Sequence, residues 1–262
     1  MKLGELIMLI DSHAHLDDSR FDNDRDVLIR DLKNNGIEIV INIGADLGSS
    51  IASVSLAEKY DNIYAAVGVH PHSAKEMDNS TIEILKTFAK RDKVVAIGEI
   101  GLDFYYDNSP RDIQKKWFKE QLELAKEVDL PVIIHTRDAA QDTFDILKNA
   151  QDGRLKGVLH CYSGSVEMAM EYIKMGFYIS LAGPVTFKNS KVSKEVAKAV
   201  PLDKLLVETD SPYLTPEPYR GKRNEPIFVR YVAGTIAETR GISFEELAKA
   251  TNRNTRKLFK IV

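Results

Sequence analysis

A chain of 262 residues can bury a substantial core, and it fits either one α/β barrel of about 250 residues or two smaller domains. With 44% hydrophobic residues, 29% charged residues and a net charge of -3, it is an ordinary globular protein without the basic footprint of a tight duplex binder. Its one cysteine, Cys161, excludes an intramolecular disulfide and fits a reducing compartment.

Residues 6–10 are apolar but too few for a membrane span or a signal-peptide core, and no small-residue cleavage site follows. They are read as a first strand at 7–10, with no membrane association and a cytoplasmic default. Met8 stands just ahead of a His-x-His motif, so residues 1–7 read as a dispensable extension or an artefact of start-site choice. A helix at 23–34 follows, with Val27, Leu28 and Leu32 at helical spacing and Gly36 as its stop. Further strands are predicted at 37–43, 63–69, 94–97, 131–134, 157–159, 177–181 and 205–207. Most are apolar throughout, as strands buried on both faces should be. Between and after them lie helices at 49–60, 81–90, 111–128, 138–149, 166–175, 193–199 and 224–239, with Pro110 near the start of the fourth. A ninth helix at 243–259 begins with Ser243 and Glu246 in capping-box spacing. Eight strands alternating with eight helices favour a single (β/α)8 TIM barrel over residues 1–262, with an additional C-terminal helix. No linker, solenoid repeat or low-complexity tract interrupts it.

In a barrel, chemistry gathers at the C-terminal ends of the strands. All six histidines fall there: His13 and His15 after the first run, His70 and His72 after the third, His135 at the end of the fifth and His160 at the end of the sixth. Glu99 follows the fourth run and Asp210 the eighth. A carboxylate at the end of an apolar strand needs a partner, because burying it alone is costly. His13, His15, Glu99, His135, His160 and Asp210 make six candidate ligands, more than one three-ligand catalytic site would need. Two divalent ions sharing Glu99 account for the excess, and such a pair clamps both oxygens of a phosphoryl transfer. Their four positive charges, set against Glu99, Asp210 and a bridging hydroxide, leave about one positive charge for a phosphodiester. Magnesium, manganese and zinc all suit a mixed imidazole and carboxylate set. Either His70 or His72 could simply cap the next helix, but His70 is the one expected to face the site. Cys161 is expected on the opposite strand face as a structural thiol. Glu208 shares parity with Asp210 and is a candidate for holding a ligand or a basic residue in place.

The residues match a known pattern. Asp11-Ser12-His13-Ala14-His15-Leu16-Asp17, Gly68-Val69-His70-Pro71-His72 and Gly98-Glu99-Ile100-Gly101-Leu102-Asp103 are three blocks of it. His135-Thr136-Arg137-Asp138-Ala139, His160-Cys161-Tyr162-Ser163-Gly164, Glu208-Thr209-Asp210-Ser211-Pro212 and Arg220-Gly221-Lys222-Arg223-Asn224-Glu225-Pro226 are four more. With these seven in order, the chain resembles the TatD family of metal-dependent deoxyribonucleases, within the amidohydrolase-like barrels. The resemblance implies that His13, His15, Glu99 and Asp210 hold one divalent ion, and that Glu99, His135 and His160 hold the other. It implies a catalytic Asp210 that takes the proton from the attacking water, and a His70 that meets the scissile phosphate. Strand parity with His135 adds Arg137 to the phosphate contacts. The loop 220–223, ahead of a helix begun at Asn224, offers guanidinium groups such as that of Arg223, although a solvated basic turn fits equally well. The implied reaction is 3′-to-5′ removal of nucleotides from single-stranded DNA by a two-metal-activated hydroxide. Phe104-Tyr105-Tyr106 supplies either stacking faces for bases or a loop's packing core. DNA is the expected partner, and no obligate protein partner is expected.

Two other readings compete. Amidohydrolases and lactonases also use His-x-His barrels, and many with two metals bridge them through a carbamylated lysine at the fourth strand end. Here that position holds Glu99, and no lysine lies between Val94 and Phe104, which tilts toward the nuclease. The second is a non-catalytic scaffold or export accessory, for which metal-stripped and metal-loaded protein would behave alike.

Overall fold

The structure, a computed structural model, describes residues 7–262. Residues 1–6 lie outside that range, and with them most of the segment expected to be dispensable or mis-started. Eight strands, β1 (Leu9–Ala14), β2 (Ile37–Ile43), β3 (Ile63–Val67), β4 (Val94–Asp103), β5 (Val132–Arg137), β6 (Gly157–Leu159), β7 (Tyr178–Leu181) and β8 (Leu205–Val207), pair in parallel in chain order. The sheet closes on itself just beyond β8. There Ala14 bridges Ser211, the Asp210 N–H donates to the His13 carbonyl at 2.9 Å, and the His15 N–H donates to the Ser211 carbonyl at 2.7 Å.

The helices α1 (Arg25–Asp31), α2 (Leu47–Lys59), α3 (Asn79–Phe88), α4 (Arg111–Glu127), α5 (Ala140–Ala150), α6 (Val166–Lys174), α7 (Lys191–Ala199) and α8 (Val229–Arg240) follow the strands in turn, and α9 (Phe244–Phe259) is the additional C-terminal one. Alternate strand residues serve two cores, as the two-residue period of a strand requires. Val40, Val67, Ile97, Ile134, Leu159 and Val207 pack under the helices. Ile10, Ile41, Val95, Ile133, Val158 and Leu206 fill the barrel. Leu258, Phe259 and Ile261 join that inner cluster, and Lys260 pairs with Asp129 at 2.6 Å just ahead of β5, so the end of α9 closes the barrel at the N-terminal ends of its strands. The C-terminal ends stay open. No helix among the described residues is long and apolar enough to cross a membrane.

Several boundaries differ from the sequence expectation, for stated reasons. β1, β4 and β5 run on to Ala14, Asp103 and Arg137, past the ends of their apolar runs, because the ladder uses backbone groups whatever the side chain. Glu99 and His135 therefore lie within strands rather than beyond them. β4 shifts register between Ile97 and Ile100. Gly101, at φ +144, presses so close to the His135 carbonyl that any Cβ there would overlap it. The helix predicted from Asn224 begins at Val229, after a 3-10 turn over Pro226–Phe228. Asn224 is instead buried in the closure, its amide donating to the Thr209 carbonyl at 2.9 Å and the Tyr213 carbonyl at 2.5 Å. Gly36 does stop the first helical stretch, at φ 80, and Ser243 accepts the Glu246 N–H at 3.0 Å, one half of the predicted box.

Candidate metal centre

The open end of the barrel brings all six histidines into one connected group. Glu99 stands at its centre, and its two carboxylate oxygens face different sets. Oε2 lies 3.4 Å from His13 Nε2 and 3.9 Å from His15 Nε2. Asp210 Oδ1 completes that side, 3.5 Å from His13 Nε2 and 3.4 Å from His15 Nε2, and the two imidazole nitrogens are 3.2 Å apart. Oε1 lies 2.8 Å from His160 Nε2 and 2.9 Å from His135 Nδ1, with 3.4 Å between those nitrogens. Ligands about 2.0–2.2 Å from a shared ion sit about 2.8–3.6 Å from one another at octahedral or tetrahedral angles. Both sets fall near that spacing.

Hydrogen bonds on the far side of the rings decide which nitrogen is free to bind. His15 Nδ1 lies 3.0 Å from the Ile43 carbonyl, which can only accept, so Nδ1 carries a proton and Nε2 is the nitrogen that a cation can take. His160 Nδ1 faces Glu208 Oε1 at 3.3 Å, an ion-pair distance without a hydrogen bond, while its Nε2 points to Glu99. His135 is reversed: Nε2 faces Asp103 Oδ2 at 3.1 Å, and Nδ1 points to Glu99. His13 Nδ1 is buried without a hydrogen-bond partner, and its Nε2 points to the cluster. Four ring nitrogens and two carboxylates thus converge, which is the donor set of a divalent-cation site.

The electrostatics say that this pocket calls for positive charge. Burial opposes ionisation of Glu99, but the imidazoles of His160, His13 and His135 hold its carboxyl well below the usual range. Burial is likewise outweighed at Asp210, held down by His15, His13 and His160. In return, and against burial, Asp210 and Glu99 push His15 up to about 9, while Glu99 and Glu208 hold His160 well above its ordinary value. Protons on the imidazoles balance the buried carboxylates. A cation can take over that balance, releasing them.

Residues beyond the six candidate ligands hold the set in place. Asp103, buried beside His135, anchors one oxygen on the Tyr105 and Tyr106 N–H groups at 3.0 and 2.9 Å and offers the other to both His135 Nε2 and His72 Nε2. Two buried glutamines seven residues apart on α4 clamp main chain at the mouth. Gln114 accepts the Asp103 N–H at 2.9 Å and donates back to its carbonyl at 3.1 Å. Gln121 does the same for Val69, the residue before His70, at 2.8 and 3.1 Å. Their signal was an amide at core spacing on an amphipathic helix. Glu208, read as a candidate support, accepts from Ser180 Oγ and from the Cys161 N–H, both at 2.6 Å, and faces His160. Asp210 is carried at φ 57, a left-handed backbone that aims its carboxylate back over the strand ends.

The expected substrate contacts divide. His70 joins the cluster: its Nδ1 accepts the His72 N–H at 3.1 Å, so its proton is on Nε2, which points toward Glu99 Oε1 at 3.7 Å. Burial and His135 keep this ring neutral, well below its ordinary pKa. His72 lies inside the next turn, whose cap is His70 rather than His72, and its own ring reaches Asp103 at 3.0 Å on the site side. Arg137 lies at the edge of the mouth, over the rings of Tyr105 at 4.1 Å and Tyr106 at 4.8 Å. Arg223 is engaged within the protein. Its guanidinium is bidentate to Asp24 at 2.8 and 2.6 Å and also meets Glu225 at 2.9 Å, fastening the closing loop to the start of α1. A phosphate would have to displace two carboxylates there. Cys161 is half-buried and its thiol is pushed well above its ordinary value by burial and by the site carboxylates Asp210, Glu208 and Glu99, so it lies within their field rather than apart from them, and it is unreactive.

Residues 10–260 match the family model described as TatD related DNase. The chain is 48% identical to the Bacillus subtilis protein YabD, named an uncharacterized metal-dependent hydrolase, over 97% of this chain and 100% of that one. It is 39% identical to YcfH of Escherichia coli, also named an uncharacterized metal-dependent hydrolase, over 97% of each. Among solved structures, YJJV, a TatD homolog from Escherichia coli, superposes with a TM-score of 0.92 at 32% identity, covering 98% of this chain and 100% of that one.

Proposed function

The chain belongs to the TatD-related DNase family, and from that premise we propose that it is a hydrolase of phosphodiester bonds in DNA, a 3′-to-5′ exodeoxyribonuclease acting on single strands with two divalent ions. The observation that supports this reading is the division of the Glu99 oxygens between two imidazole pairs, which would let one carboxylate serve two ions. His13, His15, Glu99 and Asp210 would hold one ion, and Glu99, His135 and His160 the other. Ions there supply charge for the phosphate and acidify water.

The protein's own groups do the rest. Asp210, ionised and at the rim of the first set, takes the proton of the attacking water. His70, neutral and with its proton on Nε2, donates to a non-bridging phosphate oxygen; a ring in that tautomer suits an oxyanion better than a cation. Asp103 and Glu208 keep the imidazoles of His135 and His160 turned to the centre. A cytoplasmic location, DNA as partner, and no need of a membrane or an obligate protein partner belong to the same reading.

Asp210→Asn keeps the shape and removes the proton acceptor. Its circular dichroism should match the parent's, while hydrolysis of a labelled oligonucleotide is lost with magnesium, manganese or zinc. Retained phosphodiesterase activity would overturn the role, and lactone hydrolysis by the parent without nuclease activity would move the substrate to carbonyl compounds.

A further inference from the structure

Three tyrosines stand exposed around the mouth. Tyr105 and Tyr106, just past Asp103, are 57% and 53% exposed, and Tyr213, just past Asp210, is 46% exposed. Each side touches the cluster edge-on: Tyr106 meets His72 at 5.3 Å between ring centres, and Tyr213 meets His15 at 6.0 Å. His15 belongs to the Glu99 Oε2 set, and His72 shares Asp103 with His135 of the Oε1 set. The rings therefore bracket the centre from its two ends.

Each is also braced. The Arg137 guanidinium lies over Tyr105 and Tyr106, and that of Arg20 lies 4.2 Å from the centre of Tyr213. Arg20 is itself fixed by two 2.8 Å bonds to Asp18, which also accepts the Tyr213 hydroxyl at 3.2 Å. Braced in this way, each exposed ring is ordered before any ligand arrives, and a preordered face loses less entropy on binding. A cation behind one face leaves the other for a flat partner, and Arg137 brings positive charge suited to a phosphate backbone.

We propose that Tyr105 and Tyr106 on one side and Tyr213 on the other stack the unpaired bases flanking the scissile phosphate of a single-stranded nucleic acid. The proposal rests on the phosphodiesterase reading of the centre and adds what selects the strand. Bases in a duplex present no free faces, whereas a single strand offers one per nucleotide.

The test uses the full chain carrying Asp210→Asn, which keeps a bound strand intact. Fluorescence anisotropy compares labelled oligothymidylate, a base-free strand of the same length and a duplex. The base-bearing single strand should bind about tenfold tighter than the base-free one. Tyr213→Ala, and the Tyr105→Ala/Tyr106→Ala pair, should each erase most of that ratio, while Tyr213→Trp restores it. Equal binding of the two strands, an unchanged ratio in both alanine variants, or equal binding of duplex would overturn the proposal. Hydrolysis of bis(p-nitrophenyl) phosphate by the parent chain reports separately on the phosphodiesterase reading. Base-selective binding that the alanine variants abolish, in a chain without that hydrolysis, would support the stacking surface and sink the nuclease.

Discussion

Asp103 shows how much one carboxylate decides. Its Oδ1 accepts two backbone N–H groups and its Oδ2 accepts from two imidazoles, so every lone pair directed at a neighbour fixes something. In Asp103→Asn the amide oxygen would stay on the backbone and the NH2 would face His135 Nε2 as a donor. That reverses the tautomer of His135 and puts a proton on the nitrogen that should bind. Affinity for one of the two ions should fall by about 10- to 100-fold, read by competition with a chelating dye, while the other is held as before. Equal affinities in parent and variant would mean that Asp103 only packs. Residues of this kind are hard to read from sequence because their partners are remote: His135 lies 32 positions away from Asp103, and Asp24 lies 199 away from Arg223. Arg223 looked free for phosphate for that reason. The histidines were legible because each interrupts or ends an apolar run, a local signal.

At the level of elements, the barrel's closure depends on Asp11. This residue of β1 is fully buried and accepts the Thr209 N–H at 2.9 Å and the Thr209 hydroxyl at 2.5 Å, across the seam with β8. Burial pushes its carboxyl up to about 8, against the bonds from Thr209 that favour the charged form. The folded chain thus keeps a proton that the unfolded chain, with an ordinary value of about 3.9, has released. Stability from this group is full below about pH 4 and is lost as the pH rises toward 8. Asp11→Asn cannot titrate, so between pH 5 and pH 8 the parent should lose more stability than the variant, measured as urea midpoints. Parallel profiles would place the Asp11 proton elsewhere. Element types and order were legible throughout, from alternating apolar runs and helical spacing. Strand ends were not, because β4 and β5 continue through polar residues on backbone pairing alone, and Asn224 was drawn from a helix start into the seam.

Across the whole molecule, closure is what turns dispersed residues into a site. His13 and Asp210 come from opposite ends of the chain and meet because the segment after β8 pairs with β1; Glu99, His135 and His160 arrive from the strands between. The central claim is that this produces two cation positions sharing Glu99. Elemental analysis of purified variants tests it most directly. The parent should hold two divalent ions per chain, and both His13→Ala/His15→Ala and His135→Ala/His160→Ala should hold one. Glu99→Gln should weaken both positions. If the His13→Ala/His15→Ala variant kept both ions, or the parent held only one under saturating metal, the shared two-ion centre would be wrong.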